Sequence, residues 1–278
     1  MHWWIGAAQY ATEALALVLI VRLLSLRDKR EAVYVIFALF LAFQLLSATE
    51  YLVLSRWFLN KLDYRYVWLV STIAGWLFSL SLVYSLAKAV LAGLPGVFRF
   101  SRILLNSVFP LAILGALLTV RAEYAVTGAW RYSDPTDRLV MVGSVVDRAI
   151  SMASLLVLAA ILAFILWFPV RMPRNLAIIS VGLVVYFGSK TGVELLRSYA
   201  VSGAISRSSQ DLREVLSLTV SVIVICCFLY WIVFIDPKGQ TSQVRMGHSW
   251  RASEQTKLIQ QLEALNIALL RNSQRFEL

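Results

Sequence analysis

Long apolar runs, broken by short charged or Pro/Gly-containing segments, make up most of this chain. Seven can be marked, at about 4–24, 32–54, 66–92, 103–121, 139–169, 175–198 and 212–235. Crossing ~30 Å of hydrocarbon takes roughly 20 residues of α-helix, and each run is of that order. No charge interrupts Ala149 to Val170 or Val215 to Ile235. The pattern predicts an all-α fold, a polytopic membrane protein in which residues 1–236 form a seven-transmembrane helix bundle.

Residues 237–278 follow a different rule. Leu258, Leu262, Leu265 and Leu269 fall on one stripe of an amphipathic helix expected over about 253–271. Glu254, Lys257, Glu263 and Arg271 on its polar face are of mixed sign, which favours docking on protein over lying on lipid. The four leucines are therefore candidate partner-binding residues. A short coiled-coil seam, a partner's surface and the protein's own cytoplasmic loops all fit the spacing.

Local signals place some helix ends. In SDPTD, Ser133 or Asp134 can cap a helix whose first turn holds Pro135. Pro110 falls inside the fourth run, where it removes a ladder hydrogen bond and is expected to kink the helix. Gly188 and Gly192 make a small-xxx-small step that permits close helix packing.

Composition agrees with the pattern. The 278 residues are 59% hydrophobic and only 15% charged, with mean hydropathy +0.73. Soluble domains carry about 25% charged residues. The net charge of +10 is scattered over the loops without a compact basic stripe, which speaks for the lipid bilayer and against nucleic acid. MHWWIGAAQY lacks the basic n-region and cleavage site of a signal peptide, so the first helix is expected to be retained. A modest excess of Lys and Arg, concentrated in RLLSLRDKRE and the tail, sets the N-terminus outside and the C-terminal helix in the cytoplasm. Trp3, Trp4, Trp57, Trp68 and Trp130 then fall near the outer interface, with Trp167 and Trp231 near the inner one, as anchoring belts.

Several chemistries drop out. His2 and His248 both lie outside the runs, leaving no intramembrane imidazole for a haem pair, an HExxH zinc site or a Ser–His protease. Cys226 and Cys227 are adjacent in an apolar run and read as packing residues. GLVVYFGSKTG is not a phosphate loop, because Ser189 separates Gly188 from Lys190. The seventh run has no lysine for a retinal Schiff base. No nucleophile, metal set or acid–base pair is discernible, so the expectation is a non-enzyme without cofactor or metal.

What stands out is charge inside greasy segments. In VYFGSKTGVELLRSYA, Lys190, Glu194 and Arg197 share a helix face. Lys190 lies about 22 Å from Asn175 by helical rise, and Glu50 reaches a comparable height on the second helix. With Glu13, Asp147 and Arg148 they gather in the outer half. A lone charge at the bilayer centre costs ~3 kcal/mol or more, so such groups pair, face the bundle interior or snorkel. Asp147 and Arg148 read as a helix end, Arg197 as an interface charge; Glu13, Glu50, Lys190 and Glu194 are the candidate ligand-binding residues of an outward-facing polar vestibule.

Seven helices with the N-terminus outside and a short cytoplasmic helix resemble, in topology, the seven-helix input modules of bacterial membrane sensors. The tail LIQQLEALNIALLRNSQR is similar to the endings of uncharacterised bacterial seven-helix proteins. The resemblance implies the bacterial inner membrane. The charges clustered outside, together with the amphipathic helix inside, point to a sensor or accessory subunit that binds a small or lipid-like ligand and engages a protein partner, or itself, through the tail. A transporter or channel subunit with Glu13, Glu50 and Lys190 as a relay, and a structural subunit of a membrane complex, are the competing expectations.

Overall fold

The structure, a computed structural model, describes residues 3–25, 32–57, 61–127, 135–168, 171–202, 207–236, 243–245 and 252–275. Every apolar run becomes a helix: α1 (Trp3–Ser25), α2 (Ala32–Trp57), α3 (Lys61–Val90), α4 (Pro95–Thr127), α5 (Pro135–Trp167), α6 (Arg174–Ser202) and α7 (Arg207–Phe234). The amphipathic tail forms α8 (Ala252–Arg275). Pro135 is the first residue of α5, as its fixed φ suits; Ser133 and Asp134 lie outside the described residues.

Among the described residues, four stretches are long and apolar enough to cross a membrane: Arg65–Val90, Pro95–Arg121, Arg138–Trp167 and Arg174–Val193. Two shorter apolar stretches, Ala32–Ser47 and Leu218–Phe234, accompany them. The molecule is thus an all-helical integral membrane protein.

Six helices close a ring. α1 packs on α2, α2 on α3, α3 on α5, α5 on α6, α6 on α7, and α7 returns to α1. α4 stands outside, packed chiefly on α5, and α8 lies along α4. The interior is set by stripes at helical spacing, such as Leu176, Ile179, Leu183 and Phe187 on α6 and Phe37, Phe40 and Leu41 on α2, all nearly or fully buried. Outward faces are equally greasy, with Leu17, Val21, Val70, Leu77, Leu111 and Leu156 well exposed. A helix apolar all round suits lipid on one side and protein on the other.

Trp231 is wholly buried at the centre, edge-on to Phe37 at 5.0 Å and tilted against Phe228 at 5.8 Å. It is not the interface anchor expected from its position near a run's end. Gly182 makes room for it, since a Cβ there would run into the indole. Gly188 and Gly192 have no such role: a Cβ at Gly188 would meet only Leu155 at 3.7 Å, and one at Gly192 nothing within 4 Å. Close helix approach was thus expected at the wrong glycines. Trp167, by contrast, is exposed.

One element departs from the helical pattern. β1 (Arg171–Pro173) pairs antiparallel with β2 (Gln243–Arg245), with Met172 opposite Val244. Strands of three residues are too short to show alternation in a sequence. The ribbon ties the chain beyond α7 to the α5–α6 turn.

The leucine stripe of α8 turns onto the bundle. Leu262 is buried and Leu269 packs against the core, while Leu258 is half-buried and Leu265 remains exposed. Asn266, on the same helix, accepts hydrogen bonds at Oδ1 from the Gly96 N–H at 2.6 Å and the Val97 N–H at 3.3 Å. These are free donors of the first turn of α4, and the apolar side chain of Leu94 before it cannot cap them. A Cβ at Gly96 would strike the Asn266 backbone carbonyl, so glycine is what permits this approach.

Candidate functional site

The charges of α5 and α6 meet inside the bundle wall. Lys190 Nζ lies 3.1 Å from Oδ2 and 3.3 Å from Oδ1 of Asp147, gripping both carboxylate oxygens. Trp76 on α3 donates its indole N–H to Asp147 Oδ1 at 2.9 Å. One carboxylate thereby links three helices. The side chains are 37% (Lys190) and 25% (Asp147) exposed, so the pair is neither sealed nor on the open surface. Apolar walls lower the dielectric around it and strengthen both the pairing and the cost of leaving either charge alone.

Local packing holds this cluster in place. Around Trp76, Ala116, Val146 and Ile150 form a small second core between α3, α4 and α5. Gly143 lets α3 close on α5, with Leu69 and Trp68 both 3.3 Å from where a Cβ would stand. These contacts fix the height at which the indole reaches the carboxylate.

Polarity continues along α5. Asp147, Ser151 and Ser154 follow at helical spacing, and both serines are buried. Ser154 Oγ, and Thr191 Oγ1 beside Lys190, are buried hydroxyls without a hydrogen-bond partner among the described residues. Such groups are normally met by a protein atom, a water or a ligand. The arrangement offers a fixed cation, a fixed anion and spare hydroxyls within an apolar frame.

A second polar knot sits at the start of α6. Asn175, fully buried, donates from Nδ2 to the Asp236 carbonyl at 2.7 Å and accepts from the Asp236 N–H at 3.2 Å. Arg22 of α1 donates twice to the Ile235 carbonyl, at 3.0 and 2.7 Å. The end of α7 leaves carbonyls with no helical donor, and these two side chains supply it.

The structure gathers only part of the expected set. Lys190 is central. Asp147 lies twelve residues inside α5, not at a helix end, and its neighbour Arg148 is half-buried there. Glu13 is half-buried on α1, whose neighbours are α2 and α7, so it belongs to a different sector of the ring. Glu50 and Glu194 lie on α2 and α6, with side chains outside the described residues, as is that of Arg197. His2 and His248 are likewise outside them. Trp76 was missed altogether: it is 71 residues from Asp147 in sequence, and an indole in a greasy run looks like any other packing residue.

Fold and cluster together define an all-helical integral membrane protein with a charged, three-helix polar centre. No protein family, curated protein or solved structure matches the chain.

Proposed function

We propose that this protein is a non-enzymatic membrane sensor or accessory subunit that binds a small or lipid-like polar ligand at the Trp76–Asp147–Lys190 centre. In this reading all seven helices α1–α7 cross a bacterial inner membrane with the N-terminus outside. The centre then opens toward the outer face and α8 lies in the cytoplasm, where its exposed face engages a partner. The observation that carries the reading is a charged pair held by three helices, with buried hydroxyls further along α5 and α6 that have no partner among the described residues. A coupling route accompanies it: Asp147 is on α5, α5 packs on α4, and α4 is capped by α8.

Native mass spectrometry of protein released gently from its own membrane tests this. The expected result is a retained small molecule at fixed stoichiometry, lost in Lys190→Met and kept in the charge-swapped Asp147→Lys/Lys190→Asp double variant if pairing alone is required. Wild-type protein that never carries or binds a small molecule would remove the ligand-binding claim. A transporter or channel subunit is the second reading, favoured by the buried run of Ser151 and Ser154 leading inward from Asp147. It requires ion or solute flux in proteoliposomes that Asp147→Asn abolishes.

A further inference from the structure

We infer that the cleft between α3 and α4 binds one phospholipid with an anionic headgroup, its phosphate held by Lys88 and Arg102 and one acyl chain lying in the apolar part of the cleft. α4 packs chiefly on α5, so its contact with α3 is slight, and a cavity of about 320 Å³ opens between the two helices. Ligand pockets run from ~300 to ~1,000 Å³, so this one takes part of a single chain and not a whole lipid.

Polarity along the cleft is graded, and the grading selects the occupant. On α3, Leu80, Tyr84 and Lys88 follow one another at steps of four; on α4, Arg102, Asn106, Phe109 and Ile113 follow at steps of four, three and four. The two helices are joined by the turn at 91–94, and both stripes read in the same order from it: cations first, then a phenol and a carboxamide, then hydrocarbon. Tyr84 and Asn106 line the cavity together with Leu80, Phe109 and Ile113. Tyr84 is set by Phe98, which it meets edge-on at 6.0 Å. Lys88 and Arg102 are exposed beyond the polar end of the cleft, and Arg99 stands half-buried one turn before Arg102. No Asp or Glu occurs between Asp63 and Glu123, so neither helix supplies an anion at this end. α8, packed along α4, adds Lys257, Glu263 and Arg271 among its described side chains and leaves the sign positive.

A glycerophospholipid carries the same succession of groups. Its phosphodiester takes charge-assisted hydrogen bonds from a guanidinium fork and an ammonium. Its acyl esters accept from the Asn106 amide and the Tyr84 hydroxyl, about one helical turn, or ~6 Å, further along the cleft. Its hydrocarbon meets Leu80, Leu105, Phe109 and Ile113. Basic pockets between membrane helices recognise anionic headgroups, whereas the ammonium of a zwitterionic headgroup is repelled by the same cations. A free phosphate would leave the apolar half of the cleft unfilled. The site shares no polar residue with the Lys190 centre, so the two stand or fall separately.

Native mass spectrometry of the full-length protein in neutral detergent tests this, by titration with phosphatidylglycerol and with phosphatidylcholine of the same acyl chains. Wild type is expected to retain one phosphatidylglycerol about tenfold more tightly than phosphatidylcholine. Lys88→Gln combined with Arg102→Gln should bring the two lipids level. Arg121→Gln, which removes an exposed cation towards the opposite end of α4, should leave the preference as in wild type. Asn106→Leu should weaken both lipids by about threefold, the worth of one hydrogen bond. All four side chains are exposed, so the variants keep the fold. Equal retention of both lipids by wild type overturns the inference. So does a preference that survives the loss of Lys88 and Arg102, a preference lost equally in Arg121→Gln, or release of the lipid by inorganic phosphate, which would make the cleft a site for a free anion.

Discussion

The two polar knots of α6 sit about 22 Å apart on one helix and are built on opposite principles. At Asn175, side chains meet backbone groups that the end of α7 leaves without partners, and the hydrogen bonds close on themselves. At Lys190, side chain meets side chain across three helices, and two buried hydroxyls on the same helices, Ser154 and Thr191, have no partner among the described residues. The first knot completes a helix end and holds α1, α6 and α7 together. The second leaves the Ser154 and Thr191 hydroxyls without a partner among the described residues. Polar atoms in a membrane protein are costly either way, so what separates a structural knot from a candidate site is whether its bonding is finished.

The comparison is broken most forcefully at the closed knot. Asn175→Leu removes two hydrogen bonds to the Asp236 backbone from a fully buried position. The expected loss is about 3 kcal/mol, at about 1–3 kcal/mol for each orphaned group. Chemical denaturation in mild detergent should show it as a lowered unfolding midpoint. Ligand retention by the fraction that stays folded should not change, because no atom of this knot belongs to the Lys190 centre. A loss of ligand binding at unchanged stability would reverse the roles assigned to the two knots.

Why one knot was foreseen in part and the other not at all follows from what hydropathy records. Lys190 shows in the sequence because a cation in an apolar run is conspicuous. Asn175 and Arg22 do not, since at the edge of a run they look like ordinary boundary residues. Helix positions were legible for a related reason: apolar length alone marks a span, and all seven runs became helices. Which face of each helix points inward was not legible, because Leu17 facing lipid and Leu19 facing the core are chemically the same. Trp76 and Trp231 were lost to that ambiguity, one as a hydrogen-bond donor and one as the centre of the core. Partners far apart in sequence, such as Asn266 and Gly96, leave no periodic trace either.

The Lys190 centre yields a smaller and more selective effect. Lys190→Met leaves the Asp147 carboxylate with the Trp76 N–H alone. The expected destabilisation is about 1–2 kcal/mol once partial exposure is allowed for. Adding Asp147→Leu should recover most of that stability, because replacing a pair by apolar groups is often neutral or better. Ligand retention should not recover with it. If the double variant regained both, the pair would be a structural contact like the one at Asn175, and the difference between the two knots would vanish.

The smallest effect tests whether the α8 contact is of the closed kind. Asn266→Ala removes the cap from the first turn of α4. The change should cost about 1 kcal/mol, the usual worth of an N-cap side chain. Because the cap is supplied by another element, the loss should appear as release of α8 and not as melting of the bundle. Limited proteolysis would then cut the 252–275 segment faster, with the global unfolding midpoint barely moved. Gly96→Ala attacks the same contact from the other side by placing a methyl group against the Asn266 backbone, and should act in the same direction. Should both variants keep α8 as protected as in wild type, the buried Leu262 alone would suffice to hold it, and the cap would be incidental.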